Sequence, residues 1–130
     1  MIAIDTNVLV RLLTGDDAAQ TSRAAALFEQ GDIYIGKTVL LETEWVLRFS
    51  YELSQPAIIA ALKKVLGLPQ VTAEDIFAVA DALTLFESGM DFADALHLAS
   101  SREAAQFATF DARLKKRADQ NALNHHVVLL

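Results

Sequence analysis

The hydrophobic positions of the chain form short apolar runs separated by longer segments with a helical period. The apolar residues 1–4 run directly into the polar triplet Asp5, Thr6 and Asn7, and a second apolar run follows at residues 8–10. The first run is typical of a strand buried on both faces of a parallel sheet, and the polar triplet is typical of a helix start. The sequence therefore predicts a strand that ends at Asp5 and a helix that begins directly after it.

Helical periods and short β-branched or aromatic runs alternate along the rest of the chain. Asp16 or Asp17, Thr38, Thr72 and Asp91 are suitable helix N-caps, and glycines follow several of the periodic segments. The predicted helices cover residues 18–30, 39–51, 54–67, 72–88, 91–105 and 112–120. The predicted strands cover residues 32–36, 107–110 and 126–130, with at most a brief strand at residues 69–71.

The order of these elements indicates the fold class. Helices outnumber strands and alternate with them, which is typical of an α/β fold with a parallel sheet and additional helices. A chain of 130 residues makes one domain of ordinary size and buries about two thirds of the surface that it exposes when unfolded. Because the sequence has no linker, repeat or low-complexity stretch, we expect a single domain over residues 1–130.

Composition narrows the class of protein further. The chain has no cysteine, which removes thiolate catalysis and cysteine-ligated zinc. No apolar run approaches the roughly 20 residues of a membrane-spanning helix, and no basic leader precedes Asp5, so we expect a soluble cytoplasmic protein without membrane contact. The net charge of -6 argues at first against nucleic acid as a partner, because phosphate binding usually accompanies a basic surplus.

Acidic residues follow two predicted strands and begin one predicted helix. Asp5 and Asp111 come directly after apolar strands, and Asp94 lies three residues after Asp91 in a first helical turn. Each position also suits a helix cap or an acid that complements the helix dipole, and for any single acid that structural role is the better explanation. All three are nevertheless expected at the edge where parallel strands end, and α/β proteins bind their ligands there.

Carboxylates gathered at one edge of a sheet repel one another at neutral pH and need a proton or a cation. A hard divalent ion with oxygen ligands, Mg²⁺ or Mn²⁺, suits such a cluster better than zinc, because no cysteine is available. Glu42 and Glu44 compete for the remaining ligand position. They point roughly 200° apart on a helix, so only one faces the cluster and the other is expected on a solvated face. Spacing alone does not choose between them.

Other catalytic arrangements are weakly represented. His97 follows Asp94 by three residues, which places both on one side of a helix, but a histidine beside a hard-metal site is more often a hydrogen-bonding partner or a packed side chain. His125 and His126 precede the last strand without a partner motif. The sequence has no Ser-His-Asp pattern, phosphate-binding glycine loop or HExxH motif, which makes chemistry by a nucleophilic side chain a poor explanation.

The acids lie in four short segments that are more specific together than any one of them alone. The segments are MIAIDTNVLVRLL, VLLETEWVL, DFADALHLA and TFDARL. In order and spacing, and over nearly the whole chain, they resemble the acidic motifs of the PIN-domain nucleases, in particular the toxins of the VapC type. In that family the second acid precedes a Val-Leu pair by four and five residues. Glu42 precedes Val46 and Leu47 in this way, so the resemblance favours Glu42 over Glu44.

The resemblance implies a fold and a site. The implied fold is a PIN-like domain with a twisted parallel sheet of four or five strands flanked by helices. Thr6 and Asn7 match the polar pair that helps to place water and metal, whereas Asp91 is a weaker candidate for an outer-sphere contact because it has a sufficient role as an N-cap. The implied metal ligands are Asp5, Glu42, Asp94 and Asp111, and the implied catalytic residues are these four together with Thr6 and Asn7.

The resemblance also implies a function. The expected activity is that of a Mg²⁺-dependent endoribonuclease, with Mn²⁺ as an alternative metal, that hydrolyses RNA and leaves a 5′-phosphate and a 3′-hydroxyl. Toxins of this type are held inactive by a small cognate antitoxin and commonly form homodimers. Trp45, Phe49 and Tyr51 are candidate surface for such partners, although a place in the core explains Trp45 equally well.

The negative net charge is a weaker objection once the implied ligands are set aside. Removing four acids changes the formal charge from -6 to -6 + 4 = -2. The helix at residues 112–120 is the best candidate for contact with RNA, because it begins at the predicted site, although scattered cations usually mark an ordinary solvated face. The cations considered for phosphate contact are Arg11, Lys37, Arg48, Arg102, Arg113, Lys115, Lys116 and Arg117.

Two other classes of protein remain open at the level of sequence. A Mg²⁺-dependent phosphatase of the receiver or haloacid-dehalogenase type also uses an aspartate at a strand end, but it requires a second acid two residues later, where this chain has Asn7. A non-catalytic interaction module with the PIN fold would be expected to have lost one or more of the four acids. None of the four is lost.

Overall fold

The computed structural model describes residues 1–121 and 126–130. The chain divides into two compact units, an N-terminal unit, Met1–Glu74, and a C-terminal unit, Asp75–Leu130. Both units combine helices with parallel strands, so the predicted α/β class is confirmed. No helix in the described ranges is long and apolar enough to cross a membrane.

The N-terminal unit contains a three-stranded parallel sheet, in which the strands β1 (Ile2–Ala3), β2 (Ile33–Ile35) and β3 (Val71–Ala73) lie in chain order. Strand β2 is central, and its Ile33 pairs with Ile2 on one side and with Val71 on the other. Ile33, Ile35, Leu9 and Leu40 are fully buried and belong to the core of the unit. The elements are β1 (Ile2–Ala3), α1 (Thr6–Thr14), α2 (Ala18–Glu29), β2 (Ile33–Ile35), α3 (Lys37–Phe49), α4 (Gln55–Leu66) and β3 (Val71–Ala73).

The C-terminal unit contains a two-stranded parallel sheet and three helices. Helices α5 (Ile76–Glu87) and α6 (Phe92–Ala99) pack together through an apolar interface, in which the ring centroids of Phe86 and Phe92 lie 5.1 Å apart. Phe107 of β4 pairs with Val127 of β5. The elements are α5 (Ile76–Glu87), α6 (Phe92–Ala99), β4 (Phe107–Thr109), α7 (Ala112–Asp119) and β5 (Val127–Leu129). The described residues thus contain five strands, the larger of the two expected numbers. These strands pair in two sheets, one of three strands and one of two.

Several predicted helix ends are confirmed because they depend on local hydrogen bonds. Asp17, Ser54 and Asp91 are the N-caps of α2, α4 and α6, and each side chain accepts a backbone N–H of the first turn. Gly89, which was expected to stop α5, has φ +111 and follows the C-cap. A residue with a Cβ is strained at that angle, which explains why a glycine ends this segment.

The predicted first strand was wrong in its burial. Ile2 and Ala3 are exposed, and only Ile4 of this apolar run is buried. Among the described strands of the N-terminal unit, β1 pairs with β2 alone and so lies at one end of the three-stranded sheet. An apolar run of four residues does not distinguish a central strand from an edge strand, because periodicity reports only the character of the side chains.

Two predicted helix starts were displaced by contacts that are remote in sequence. Helix α3 begins at Lys37 with Gly36 as its N-cap, two residues before the predicted cap Thr38, and the backbone N–H of Lys37 donates to Oε1 of Glu74 (2.8 Å). Thr72, the predicted cap of α5, lies instead in β3, and Asp75 takes its place as N-cap. At Thr72, which pairs with Tyr34, strand pairing with β2 outweighs the local capping signal.

Candidate active site

The first motif acid begins helix α1 in the N-terminal unit. Asp5 is the N-cap, and its Oδ1 accepts the backbone N–H of Thr6 (2.7 Å). The other carboxylate oxygen receives no hydrogen bond from a described residue, and the side chain is exposed. The capping role considered from the sequence is therefore confirmed, and the second oxygen of Asp5 is available to a ligand. Thr6 is buried and Asn7 is exposed on the first turn.

The two glutamates of α3 differ in environment, and one expectation about them was wrong. Glu42 is exposed and makes no hydrogen bond or ion pair with a described residue, so its carboxylate is available. Glu44 was expected on a solvated face, but only 2% of its surface is exposed. It follows Leu40 by four residues and precedes Leu47 by three, and both leucines are fully buried, so Glu44 lies in the apolar stripe of the helix.

The buried glutamate is paired with an arginine one turn later on the same helix. Nε of Arg48 donates to one carboxylate oxygen of Glu44 (2.7 Å), and Nη2 donates to the other (3.2 Å). The guanidinium carbon of Arg48 also lies 4.5 Å from the ring centroid of Phe49, whose ring is 5.0 Å from that of Trp45. Arg48 was considered as a phosphate contact, and in this structure its guanidinium also has a structural role, because it pairs with the buried carboxylate of Glu44.

Trp45 and Phe49 are exposed on α3, which agrees with their expected place on the surface and not in the core. Tyr51, the third residue considered with them, is half-buried, and its hydroxyl forms hydrogen bonds with other residues of the N-terminal unit. Its hydroxyl donates to Oδ2 of Asp16 (2.8 Å) and accepts from Nη1 of Arg11 (3.0 Å). Tyr51 therefore helps to hold α1, and only the Trp45–Phe49 pair remains as candidate surface for a partner.

The remaining motif acids lie in the C-terminal unit at the starts of α6 and α7. Oδ2 of Asp91 accepts the backbone N–H of Asp94 (3.2 Å). Oδ1 of Asp111 accepts the backbone N–H groups of Arg113 (2.8 Å) and Leu114 (3.2 Å). The second oxygen of Asp111 and both oxygens of Asp94 receive no hydrogen bond from a described residue. Asp94 and Asp111 are therefore available to a ligand.

A cavity of about 560 Å³ joins these acids to the cations of α7 within the C-terminal unit. Its wall contains three aspartates and three basic side chains, so charges of both signs meet in one cavity. The cavity is lined by Gly89, Met90, Asp91, Asp94, Asp111, Arg113, Leu114, Lys116, Arg117 and Gln120.

The negative charges in this cavity interact. Partial burial raises the pKa of Asp94 above its ordinary value of 3.8, and the neighbouring charges of Asp91 and Asp111 raise it further, while His97 lowers it. Its proton is thus held more tightly than in an unfolded chain. The carboxylates of α6 and α7 are close enough to repel one another, and a cation would relieve that repulsion.

The cations of α7 differ in how strongly they are engaged. Lys115 is paired with Asp119 (2.9 Å), and Nη1 of Arg117 donates to the backbone carbonyl of Ser88 at 3.4 Å. Arg113 and Lys116 are exposed and make no hydrogen bond or ion pair through their side chains with any described residue. These two are therefore the cations of the cavity that are free to meet an anionic ligand.

The guanidinium of Arg117 packs over the backbone of Gly89. A Cβ added to Gly89 would lie 3.1 Å from the central carbon of that guanidinium. A side chain at this position would push Arg117 out of place in addition to straining the backbone. Gly89 thus shapes the cavity as well as ending α5.

A second cavity, of about 470 Å³, lies between α1 and α2 in the N-terminal unit. Arg11 is held there by Gln20, whose Oε1 accepts from Nε (2.7 Å), and by Tyr51. This explains why Arg11, another cation considered for phosphate contact, is only half-exposed. The cavity is lined by Asn7, Val8, Arg11, Gln20, Arg23, Ala24 and Leu27.

The histidines have minor roles in the described structure. His97 is exposed on α6 and influences Asp94 through its charge. The backbone carbonyl of His126 accepts the N–H of Phe107 (2.8 Å), while His125 lies outside the described residues. Within either unit, the described Asp, Glu and His side chains form no group of three or more with the spacing of a metal site.

Sequence reasoning missed the structural ion pair of Glu44 and the Arg11–Tyr51–Asp16 network. The first has a sequence signal, because Glu44 and Arg48 are spaced i, i+4 and Glu44 aligns with Leu40 and Leu47. The network has none, since it joins residues that are as many as 40 positions apart.

Comparison with known proteins identifies the family. The sequence model of the PIN domain matches residues 2–120, which is nearly the whole chain. The chain belongs to the PIN domain family. This confirms the resemblance inferred from the four acidic segments, and the α/β architecture of this PIN domain agrees with it.

One solved structure similar to this PIN domain is that of VapC20 from Mycobacterium tuberculosis, described as a toxin that cleaves the sarcin-ricin loop. The two share 21% sequence identity, the match covers 89% of this chain and 94% of that one, and the TM-score is 0.45. No curated protein is significantly similar in sequence.

Proposed function

We propose that this PIN domain is a divalent-metal-dependent endoribonuclease and the toxin of a toxin-antitoxin pair. The cavity of the C-terminal unit supports the proposal most strongly, because it brings Asp94 and Asp111 beside the unengaged cations Arg113 and Lys116. Carboxylates alone would repel a phosphodiester, and cations alone would bind it without hydrolysis. Together they match the charges of a metal ion and an RNA backbone.

The proposed metal ligands are Asp5, Glu42, Asp94 and Asp111. Their chemistry fits a hard divalent ion, since every donor is a carboxylate oxygen and the chain has no cysteine. Each of the four side chains keeps at least one oxygen that no described residue engages by a hydrogen bond. The raised pKa of Asp94 also fits, because it arises partly from charges that a cation would neutralise.

The side chains have separable tasks in the proposed reaction. A bound Mg²⁺ or Mn²⁺ supplies Lewis acidity toward the phosphate and lowers the pKa of an attacking water. Arg113 and Lys116 attract the RNA backbone, and Asp111 orients them because it begins the helix that carries both. Asp5 orients Thr6 and Asn7 in the same way, since its capping hydrogen bond holds the first turn of α1. We propose that this polar pair helps to position water near the metal.

The proposed biological partners are an RNA substrate, a cognate antitoxin and a second copy of the chain, with the cytoplasm as the site of action. The exposed Trp45–Phe49 pair provides apolar surface for one of the protein partners. Induction of the protein in a host with and without the product of a short neighbouring gene tests the toxin role. Growth arrest that the neighbour relieves would support it, and normal growth without the neighbour would contradict it.

Cleavage of RNA is expected to require added metal. With Mg²⁺ or Mn²⁺ the protein should convert a single-stranded RNA to shorter products, and excess EDTA should abolish the reaction, because the proposed mechanism needs the metal to lower the pKa of the attacking water. Gel analysis of an end-labelled RNA measures cleavage with the metal and its loss in EDTA. As a control for damage by the chelator, an excess of Mg²⁺ over EDTA should restore cleavage. Cleavage that continues unchanged in EDTA would exclude the metal mechanism.

Neutralising the two unengaged cations is expected to weaken RNA binding and its dependence on salt. Replacement of both Arg113 and Lys116 by Gln should reduce the slope of log K against log salt by about 1.4, since each phosphate contact on a single strand contributes about 0.7. Binding is measured in EDTA to prevent cleavage. Lys64→Gln, an exposed lysine of the N-terminal unit, is the single-charge control. An unchanged slope in the double variant would show that α7 does not contact RNA.

A further inference from the structure

Phe110 is the most exposed large hydrophobic side chain in the described part of the chain. It lies between the end of β4 and Asp111, and 82% of its surface is accessible. Its ring makes no aromatic or cation–π contact with a described residue. Single exposed hydrophobic residues are common on protein surfaces, but this one directly precedes Asp111, a proposed metal ligand.

The backbone on both sides of Phe110 is held by hydrogen bonds. The carbonyl of Thr109 accepts the N–H of Leu130 (2.8 Å), and Oγ1 of Thr109 accepts the N–H of Asp111 (3.0 Å). Asp111 is in turn tied to the first turn of α7 by two further hydrogen bonds. The backbone that carries the exposed ring is therefore already ordered. A ligand that covers the ring would bind with little loss of backbone conformational entropy.

The charges near Phe110 in the sequence favour an anionic ligand. Arg113 and Lys116 follow it on α7, both exposed and both without a side-chain partner among the described residues. Exposed aromatic rings combined with unengaged cations are the usual means of binding single-stranded nucleic acid. A second copy of the chain is a poorer occupant, because a symmetric contact over this surface would bring like charges together.

We propose that Phe110 is a stacking platform for a nucleobase of the RNA substrate beside the cleaved phosphate. The proposal rests on the proposed ribonuclease function and assigns to this residue a part of substrate binding. The face of the ring stacks on an unpaired base, while the cations of α7 meet the backbone. Because every base has such a face, Phe110 strengthens binding to single strands over duplexes and contributes little preference among the four bases.

Removal of the ring is expected to weaken binding of a single-stranded RNA. With a labelled oligoribonucleotide of mixed sequence in EDTA, Phe110→Ala should raise Kd about tenfold and Phe110→Tyr should leave it nearly unchanged, since tyrosine retains the stacking face. The salt slope of Phe110→Ala should equal that of the wild type, because stacking releases no counterions. In the presence of Mg²⁺, KM should rise more than kcat falls.

Phe77 provides the matched control in the same unit. It is 73% exposed on α5, far in sequence from the proposed metal ligands, and the guanidinium carbon of Arg102, which is paired with Asp75, lies 5.9 Å from its ring centroid. Phe77→Ala should bind the oligoribonucleotide as the wild type does. Thermal melts of both alanine variants check the fold, and each should melt near the wild-type temperature because an exposed ring loses few contacts.

A fluorescence measurement tests the stacking directly. In a Trp45→Phe background, Phe110→Trp places the only indole of the chain at the proposed platform, and addition of the oligoribonucleotide in EDTA should quench its emission. The proposal would be overturned if Phe110→Ala bound the oligoribonucleotide with wild-type affinity, or if the emission of the indole at position 110 were not quenched. In that case, cleavage of RNA by the wild-type protein would still support the ribonuclease function. Absence of RNA binding and cleavage by the wild type would overturn both. A loss of dimers in Phe110→Ala at unchanged affinity would assign the ring to contact between copies.

Discussion

Replacement of Asp94 by Asn is expected to lower RNA cleavage at least about 100-fold and to stabilise the metal-free protein slightly at neutral pH. The loss follows because a proposed metal ligand contributes several kcal/mol to stabilisation of charge in the transition state. The gain follows because Asn removes a negative charge that burial, Asp91 and Asp111 disfavour. Solvent screens a partly exposed group, so a rise in Tm of only a few degrees is expected.

The pH dependence of that stability has a definite sign. The pKa of Asp94 is raised in the folded state above the ordinary value of 3.8, so the folded protein holds this proton more tightly than the unfolded chain does. Wild type and Asp94→Asn should therefore be similarly stable below pH 3.8. The advantage of the variant should grow as pH rises through the folded pKa of Asp94 and stay constant above it.

Thermal melts across this pH range, with and without Mg²⁺, measure the effect. Asp81→Asn removes the same charge from α5, outside the cavity, and should show neither the loss of cleavage nor the stabilisation. Mg²⁺ should raise the Tm of the wild type more than that of Asp94→Asn, since a ligand stabilises only the state that binds it. A variant that melts well below the wild type in EDTA would show that Asp94 is chiefly structural.

The two glutamates of α3 are expected to respond in opposite ways to the same substitution. Glu42→Gln should abolish cleavage and leave stability unchanged, because the side chain is exposed, unpaired among the described residues and proposed as a metal ligand. Glu44→Gln should retain cleavage by the folded fraction but lose about 1–3 kcal/mol of stability, since it breaks charged hydrogen bonds to Arg48 in a buried position.

Urea unfolding and an RNA cleavage assay on both variants separate these roles. Arg48→Met is a further check on the structural one, because it leaves the carboxylate of Glu44 buried without that arginine and should destabilise the protein at least as much as Glu44→Gln. Loss of activity in Glu44→Gln with an intact fold, together with an active Glu42→Gln, would mean that the second motif is aligned two residues out of register.

The acids that begin helices were recognisable from the sequence because capping is a local property. Asp5, Asp91 and Asp111 each accept a hydrogen bond from an N–H within three residues, and the residues that follow them have a helical period. The PIN family was recognisable for a different reason: four acidic segments in a given order constrain the chain far more than any one of them does.

Tertiary structure decided the features that depend on which surface is covered. The sequence determined that α3 is a helix and that Glu42 and Glu44 point away from each other, but the packing of the N-terminal unit placed Glu44 beside Leu40 and Leu47 in its core. Strand β3 formed where a capping signal at Thr72 favoured a helix, because hydrogen bonding to β2 outweighs a single local cap. Hydrogen bonds between residues distant in the chain, such as those of Tyr51 with Arg11 and Asp16, are set by the fold, because a local pattern does not specify which distant segments come together.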